Sequence, residues 1–161
     1  MSFFSLQFLK TDPNARYQGY MYFFKEGFCW SLINGTRSEN DLKFRLSTAG
    51  IYDVGGMSLH NVTNCVSNKF IVCIGNSDLI SRYTESFVNF TVNFQINDAR
   101  QIPIIIPKKN QLDEFESLFN SAYIIKQAEY SGQLSIEKSE IQLTQLQGKI
   151  ENLVRKLYNL I

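Results

Sequence analysis

The chain has 161 residues, about the length of one ordinary domain, and 44% of them are hydrophobic and 14% aromatic. This composition is sufficient for a buried core and excludes the disordered, collagen-like and disulfide-scaffold classes. The net charge of +1 argues against a purely electrostatic clamp for nucleic acid.

The front of the chain predicts β-strands. Residues 20–24 and 28–33 are rich in aromatic and β-branched side chains, and Lys25, Glu26 and Gly27 separate the two runs. A turn is predicted at Asn34-Gly35, and a strand at 42–47, where apolar and polar residues alternate. That alternation places Lys43 and Arg45 together on the open face of the strand.

The middle of the chain is less clear. Residues 51–54 predict a short strand ended by two glycines, whereas 70–74 are apolar but too short to distinguish a strand from a helix. A helix capped by the segment 76–78 follows. Residues 92–96 alternate again and predict a strand. The prolines near both ends of 102–107 predict either an edge strand or an extended exit from the head.

The apolar period changes from two to about 3.6 after Lys109, so we predict a head at 1–109 and a helical tail at 110–161. Asn110 is the predicted cap of a first long helix, and Ser131-Gly132 breaks it. The first helix has an apolar stripe formed by Leu112, Phe115, Leu118, Phe119, Ala122 and Ile125. The second, from about Ser135 to Asn159, has a heptad stripe formed by Leu143, Leu146, Ile150, Leu153, Leu157 and Leu160.

Together these patterns predict an α+β fold: a mixed, β-rich head followed by two long helices. The short break favours an antiparallel helical pair, and one bent helix or an intermolecular pair are the alternatives. Split at Lys109, the head has eleven basic against eight acidic residues and the tail five against seven. The head is therefore the more basic part.

Cysteine spacing and apolar run length bear on the compartment. The three cysteines show no C-x-x-C pairing, so neither a disulfide framework nor a zinc knuckle is predicted. No segment approaches the roughly 18 apolar residues of a membrane span. We therefore expect a soluble cytoplasmic protein without a membrane partner or a metal site.

Residues with catalytic chemistry are sparse. His60 is the only histidine, no serine lies in a Gly-x-Ser-x-Gly elbow, and Gly55-Gly56 lacks the spacing of a phosphate-binding loop. No catalytic residue is predicted. The head instead offers polar, basic and aromatic residues that could meet phosphates and base edges, and the contact candidates are Trp30, Ser31, Asn34, Thr36, Arg37, Lys43, Arg45, His60, Lys108 and Lys109. The alternative is a solvated strand face with Trp30 in the core.

Several segments together resemble a known family. Residues 24–31 (FKEGFCWS), 42–46 (LKFRL), 51–58 (IYDVGGMS), 89–104 (NFTVNFQINDARQIPI) and 150–160 (IENLVRKLYNL) are similar to the TaqI-like C-terminal specificity domain of restriction-modification adenine-N6 DNA methyltransferases. The closing segment is also similar to that of type I restriction specificity subunits. Phe90, Asn97 and Ala99 replace the proline, glycine and isoleucine of the family pattern.

The resemblance implies a target-recognition domain that binds double-stranded DNA and serves a methyltransferase catalytic domain or subunit. The parent enzyme would use S-adenosylmethionine and is often fused to an endonuclease, whereas no cofactor is predicted for this chain. The Asn/Asp-Pro-Pro-Tyr/Phe motif and a nuclease motif do not occur in these 161 residues. We therefore expect the specificity portion of a larger enzyme, or a piece that begins inside it.

Two further hypotheses come from other classes. One is a protein-interaction module that forms homo-oligomers through the helical tail. The other is a free-standing enzyme, which is the weakest because the sequence shows no pair of residues for proton transfer.

Overall fold

The structure is a computed structural model that describes residues 11–12, 20–31, 43–48, 50, 56–61, 63, 65–89, 91 and 93–161. Its strands are β1 (Gly27–Ser31), β2 (Arg45–Ser47) and β3 (Gly56–Leu59). Its α-helices are α1 (Asn68–Gly75), α2 (Asp78–Tyr83), α3 (Ile96–Ala99), α4 (Lys109–Tyr130) and α5 (Ile136–Leu157). The α+β class and the two long C-terminal helices are confirmed.

The three strands form one sheet in the order β2-β1-β3, and both pairings are antiparallel. The sheet is therefore antiparallel throughout the described part of the chain. Gly56 was predicted to end the strand at 51–54, but it is the first residue of β3. The predicted strand at 51–54 and the turn at Asn34-Gly35 lie outside the described residues.

The predicted strand at 20–24 is wrong. Tyr20–Tyr22 is a single turn of 3-10 helix, because the amides of Phe23 and Lys25 donate to the carbonyls of Tyr20 and Tyr22 at 3.2 and 3.1 Å. These local bonds use the groups that a sheet would pair. Phe24 then takes a φ of 60°, which turns the chain into β1.

One face of the sheet packs against an aromatic cluster, because side chains alternate along each strand. Phe28 and Trp30 of β1 are buried there with Phe44, Val72 and Phe94. Met57 and Leu59 of β3 pack against the same group. The apolar face of the sheet thus covers one side of α1, which contributes Val72.

Residues 70–74 belong to helix α1, which resolves the ambiguity of that apolar run. The Ser67 side chain caps the helix by accepting from the Phe70 amide at 3.2 Å. Helix α2 begins after Ser77, as predicted, and the Ser77 hydroxyl accepts from the Ile80 amide at 3.4 Å. Beyond α2 the chain continues as a π-helical turn, Thr84–Val88.

Residues 93–95, which belong to the segment predicted as a strand at 92–96, form a structured loop, and residue 92 lies outside the described residues. Asn93 makes a single bridge, Phe94 is buried, and α3 starts at Ile96. Asn89 organises the loop: its amide donates to the Asp98 carboxylate at 2.7 Å and to the Asn93 carbonyl at 2.8 Å. Polar side chains therefore satisfy several of the backbone groups of this loop. Residues 102–107 form an extended exit without strand pairing.

Helices α4 and α5 form an antiparallel hairpin, as predicted. Gly132 (φ 75°) lies in the turn between them, and the Ser139 hydroxyl at the start of α5 donates to Glu129 at the end of α4. At the other end of the hairpin, Phe115 of α4 shares a core with Val154 of α5. Asn110 is not the cap, because α4 begins at Lys109 and Lys108 occupies the cap position. The Gln111 side chain accepts a hydrogen bond from the Lys108 amide at 2.9 Å.

The core beneath this hairpin crosses the predicted boundary at Lys109. It combines residues from α1 and α2 with residues from α4 and α5: Phe70, Cys73, Ile74, Ile80, Phe115, Ile150, Val154 and Leu157. The sheet, α1 and the helical hairpin are thus three layers that share apolar contacts. The division into a head at 1–109 and a tail at 110–161 stays a prediction.

A close approach of α1 and the segment before β2 provides a stability test. A Cβ atom on Gly75 would overlap the ring of Phe44, which is itself buried. We expect Gly75→Ala to lower the free energy of unfolding by about 1–3 kcal/mol, because overpacking forces the ring to move. Urea denaturation monitors this change. Gly148→Ala in α5 is the matched control, since a Cβ there meets open space, and should raise stability by about 0.5–1 kcal/mol.

Thiol reactivity tests the packing of α4 on α1. Burial raises the pKa of Cys73 to about 12, and this thiol lies against the Phe115 carbonyl, whereas Cys65 is exposed. Because the thiolate is the reactive species, a maleimide reagent should modify Cys65 quickly in the native protein and Cys73 only after urea unfolds it. Equal native labelling rates for the two cysteines would contradict the shared core.

Candidate nucleic-acid interface

The second face of the sheet is polar and carries the two predicted strand cations. The register pairs Cys29 of β1 with Arg45 of β2 and with Ser58 of β3, so these three residues share that face. Lys43 lies two residues before Arg45 and is exposed, as are Arg45 and Ser31. We call Ser31, Lys43 and Arg45 the open face. Lys43 and Arg45 are both exposed, and their use as a joint contact surface stays a prediction.

The charged side chains of the open face are all basic. None of the residues of β1, β2 or β3 is acidic, so the cations are not neutralised within the described sheet. Burial raises the pKa of the Cys29 thiol, and the Arg45 guanidinium acts in the opposite direction. Arg45 therefore projects an exposed positive charge from the face opposite the aromatic cluster, a placement suited to phosphate oxygens or to acceptor atoms of base edges.

His60 lies at the end of β3 and is half-buried. Its Nδ1 is 3.2 Å from the Glu26 carbonyl, and its ring stacks on Tyr22 with centroids 4.9 Å apart. Gly27 makes this position available, because a Cβ there would lie 2.7 Å from Nδ1 of His60 and 2.6 Å from the Leu59 carbonyl. The glycine of the FKEGFCWS segment is thus explained by a close approach of two strands.

Trp30 does not lie on the open face, and we correct its assignment as a contact residue. The side chain is 2% exposed, and its indole N–H donates to the Phe94 carbonyl at 2.8 Å. Its ring also packs edge-to-face on Phe44 and Phe94. Both its apolar surface and its polar atom are therefore used inside the protein. The alternative interpretation, with Trp30 in the core, is the correct one.

Lys108 and Lys109 are exposed at the start of α4, a different element from the sheet. Lys109 forms an ion pair with Asp113 at 2.6 Å, and hydrogen bonding to that carboxylate raises the pKa of the lysine. Since such an exposed pair is weak, Lys109 could exchange Asp113 for a phosphate. The predicted contacts at Asn34, Thr36 and Arg37 lie outside the described residues.

An exposed aromatic segment was missed by sequence reasoning. Tyr20, Met21, Tyr22 and Phe24 are all exposed, and the Lys25 ammonium lies 5.7 Å from the centre of the Tyr22 ring. We call Tyr22, Phe24, Lys25 and His60 the aromatic patch. Five consecutive large apolar residues at 20–24 were a usable signal, because a strand at a sheet edge buries only alternate side chains.

Comparison of the chain with protein-family models, with curated proteins and with solved structures gives no match. Among the described residues, no helix has the length and apolar character needed to cross a membrane. The same part of the chain holds no group of three or more His, Cys, Asp or Glu side chains arranged to bind a metal ion. The function must therefore be argued from the open face and from the resemblance.

The position of Trp30 can be tested without a substitution. Because it is the only tryptophan in the sequence, all tryptophan emission reports on this site. We expect acrylamide to quench the native emission only weakly and to quench it strongly in urea, since burial excludes the quencher. Addition of duplex DNA should leave the quenching constant unchanged. A native constant equal to the unfolded one would show that the indole faces solvent.

Proposed function

We propose that this chain is a DNA target-recognition domain of a restriction-modification adenine-N6 methyltransferase or restriction enzyme. It binds double-stranded DNA and directs a catalytic module that lies outside these 161 residues. The observation that carries the proposal is the open face, where Arg45 projects from β2, Lys43 is exposed two residues before it, and the three described strands contain no acidic residue. Affinity for duplex DNA depends mainly on such cations.

The contacts among the family-like segments add support. The Trp30 indole joins the first segment to Phe94 of the NFQ segment, and the Tyr158 hydroxyl of the closing segment donates to the Pro103 carbonyl. These residues hold the head together, so the resemblance is carried by scaffold positions, and the residues that read bases must be sought on the surface.

The helical hairpin has a role in the same proposal. Because α4 and α5 share a core with α1, and α1 packs under the sheet, the hairpin fixes the angle of the open face. A catalytic domain or subunit attached through the hairpin would then contact the DNA in a defined position and orientation. S-adenosylmethionine belongs to that catalytic module, and a cytoplasmic location follows from the same parentage.

Substitution of the two open-face cations tests the proposal. Lys43→Ala/Arg45→Ala should weaken binding of pooled duplex DNA at low salt about tenfold or more and reduce the slope of log K against log salt by about two. Fluorescence anisotropy measures both quantities. Lys149→Ala, which removes an exposed lysine from α5, is the control and should change neither.

Arg45→Lys separates two uses of the same side chain. If the Arg45 guanidinium makes a bidentate contact with a base edge, the lysine variant should lose sequence preference while keeping most of its affinity for duplex DNA. If it contacts only phosphate, the preference should persist. A full chain that binds no duplex DNA at low salt, alone or joined to its catalytic module, would refute the proposed function.

The second candidate is a protein-interaction module, and exposed apolar side chains on the hairpin favour it. Ile124 of α4 and Ile141 of α5 are exposed, as is Tyr130 near the turn. Sedimentation of the full chain and of Ile124→Glu/Ile141→Glu separates the candidates. Loss of self-association with unchanged DNA binding would assign these helices to assembly alone. Truncation at Lys109 is unsuitable, because it removes half of the shared core.

A further inference from the structure

Phe24 is held in solvent by a backbone conformation that is unfavourable for its residue type. Its φ of 60° lies in the left-handed region, where a side chain with a Cβ is strained. Its ring is nevertheless 67% exposed, so burial of that ring does not offset the strain. Strained backbone of this kind occurs preferentially at functional sites.

Two main-chain hydrogen bonds fix this conformation. The Phe24 amide donates to the Gly50 carbonyl at 2.9 Å, and the next amide, that of Lys25, donates to the Tyr22 carbonyl at 3.1 Å. The ring therefore projects from a braced turn at the Gly27 end of the sheet. The direction in which the side chain leaves the backbone is therefore defined before any partner binds, which lowers the entropic cost of a contact.

The neighbours of Phe24 determine what kind of partner fits. The Tyr22 ring stacks on His60 with an interplanar angle of 16°, and the Lys25 ammonium lies near the same ring. The one carboxylate in this segment, Glu26, accepts a hydrogen bond from Asn68. Aromatic rings beside the Lys25 ammonium suit a flat, apolar base attached to a phosphate better than they suit an apolar protein surface.

The patch and the open face are joined through the sheet. Gly27 pairs with Ser47, two residues beyond Arg45 on β2, and His60 follows directly after Leu59 of β3. A nucleic acid held by Lys43 and Arg45 can therefore extend along the sheet towards the aromatic patch. Within an intact duplex, however, the faces of the bases are covered by their neighbours, so only an unstacked base offers its face.

We propose that the aromatic patch stacks on a nucleobase that has left the base stack of bound DNA, with Phe24 as the principal stacking residue. This inference rests on the proposed function, because the duplex must first be held by the open face. It adds a second contact of different chemistry: the open face binds phosphates and base edges, and the patch binds the face of one base.

The experiment uses the full chain and two fluorescent DNA probes. One is a matched duplex containing 2-aminopurine, and the other is the same duplex with that base unpaired in a single-nucleotide bulge. We expect the chain to quench the unpaired base and to bind the bulged duplex about fivefold or more tightly than the matched one, since stacking on an aromatic side chain contributes this much per base.

Variants at one position isolate the ring. Phe24→Gly removes the ring and relieves the strained φ, so it should abolish the preference for the bulge with an unchanged or higher melting temperature. Phe24→Trp should keep the preference. Phe24→Leu should lose it, which separates base stacking from general apolar contact and serves as the test if the glycine variant fails to fold. Phe87→Ala, at an aromatic residue 78% exposed on the π-helical turn, is the control.

The outcomes separate the two proposals. Binding of both duplexes that depends on Arg45 but shows no preference for the bulge, or a preference that survives Phe24→Gly and Phe24→Leu, overturns the stacking role and leaves the DNA-binding function intact. Quenching of the unpaired base that depends on Phe24 but not on Lys43 and Arg45 supports stacking and contradicts the role of the open face. Failure to bind either probe refutes both.

Discussion

The buried hydrogen bond from the Trp30 indole to the Phe94 carbonyl connects the sheet to the loop that leads into the helical hairpin. It lies within a cluster of aromatic rings, where an unpaired N–H would carry a large desolvation cost. The sheet can therefore keep its orientation only while Phe94 stays buried. The hydrogen bonds of Asn89 and Asp98 shape the loop that holds Phe94 there.

Helix α1 transmits that orientation to the rest of the molecule. Val72 faces the aromatic cluster under the sheet, whereas Phe70 and Ile74 belong to the core of the hairpin. Ile102 and Phe119 pack against both clusters. Because close-packed interiors resist small displacements, the open face and the long helices should move as one body. The proposed function needs this rigidity, because a domain that reads DNA for a separate catalytic module must direct the chemistry to one base.

The proposed interface uses two kinds of contact that differ in range. The charges of Lys43 and Arg45 act over a distance of about a Debye length and do not require close fit. The rings of Tyr22 and Phe24 act only at van der Waals distance and require a base with an uncovered face. The charge contacts favour association with any duplex, whereas the stacking contacts stabilise only a complex in which the DNA is deformed. Together they could couple recognition to distortion of the DNA.

The sequence by itself determined the features that depend on local periodicity: the strand over 28–31, the exposure of Lys43 and Arg45, the helix cap within 76–78, and the two long helices with their break at Gly132. Only the tertiary structure decided that residues 70–74 are a helix, because an apolar run of five fits either element. It also decided that Trp30 is buried and Phe24 exposed. Residue type could not distinguish the two aromatic residues. Trp30 is buried with a hydrogen-bond partner 64 residues away, whereas Phe24 has a positive φ that is fixed by its bond to the Gly50 carbonyl.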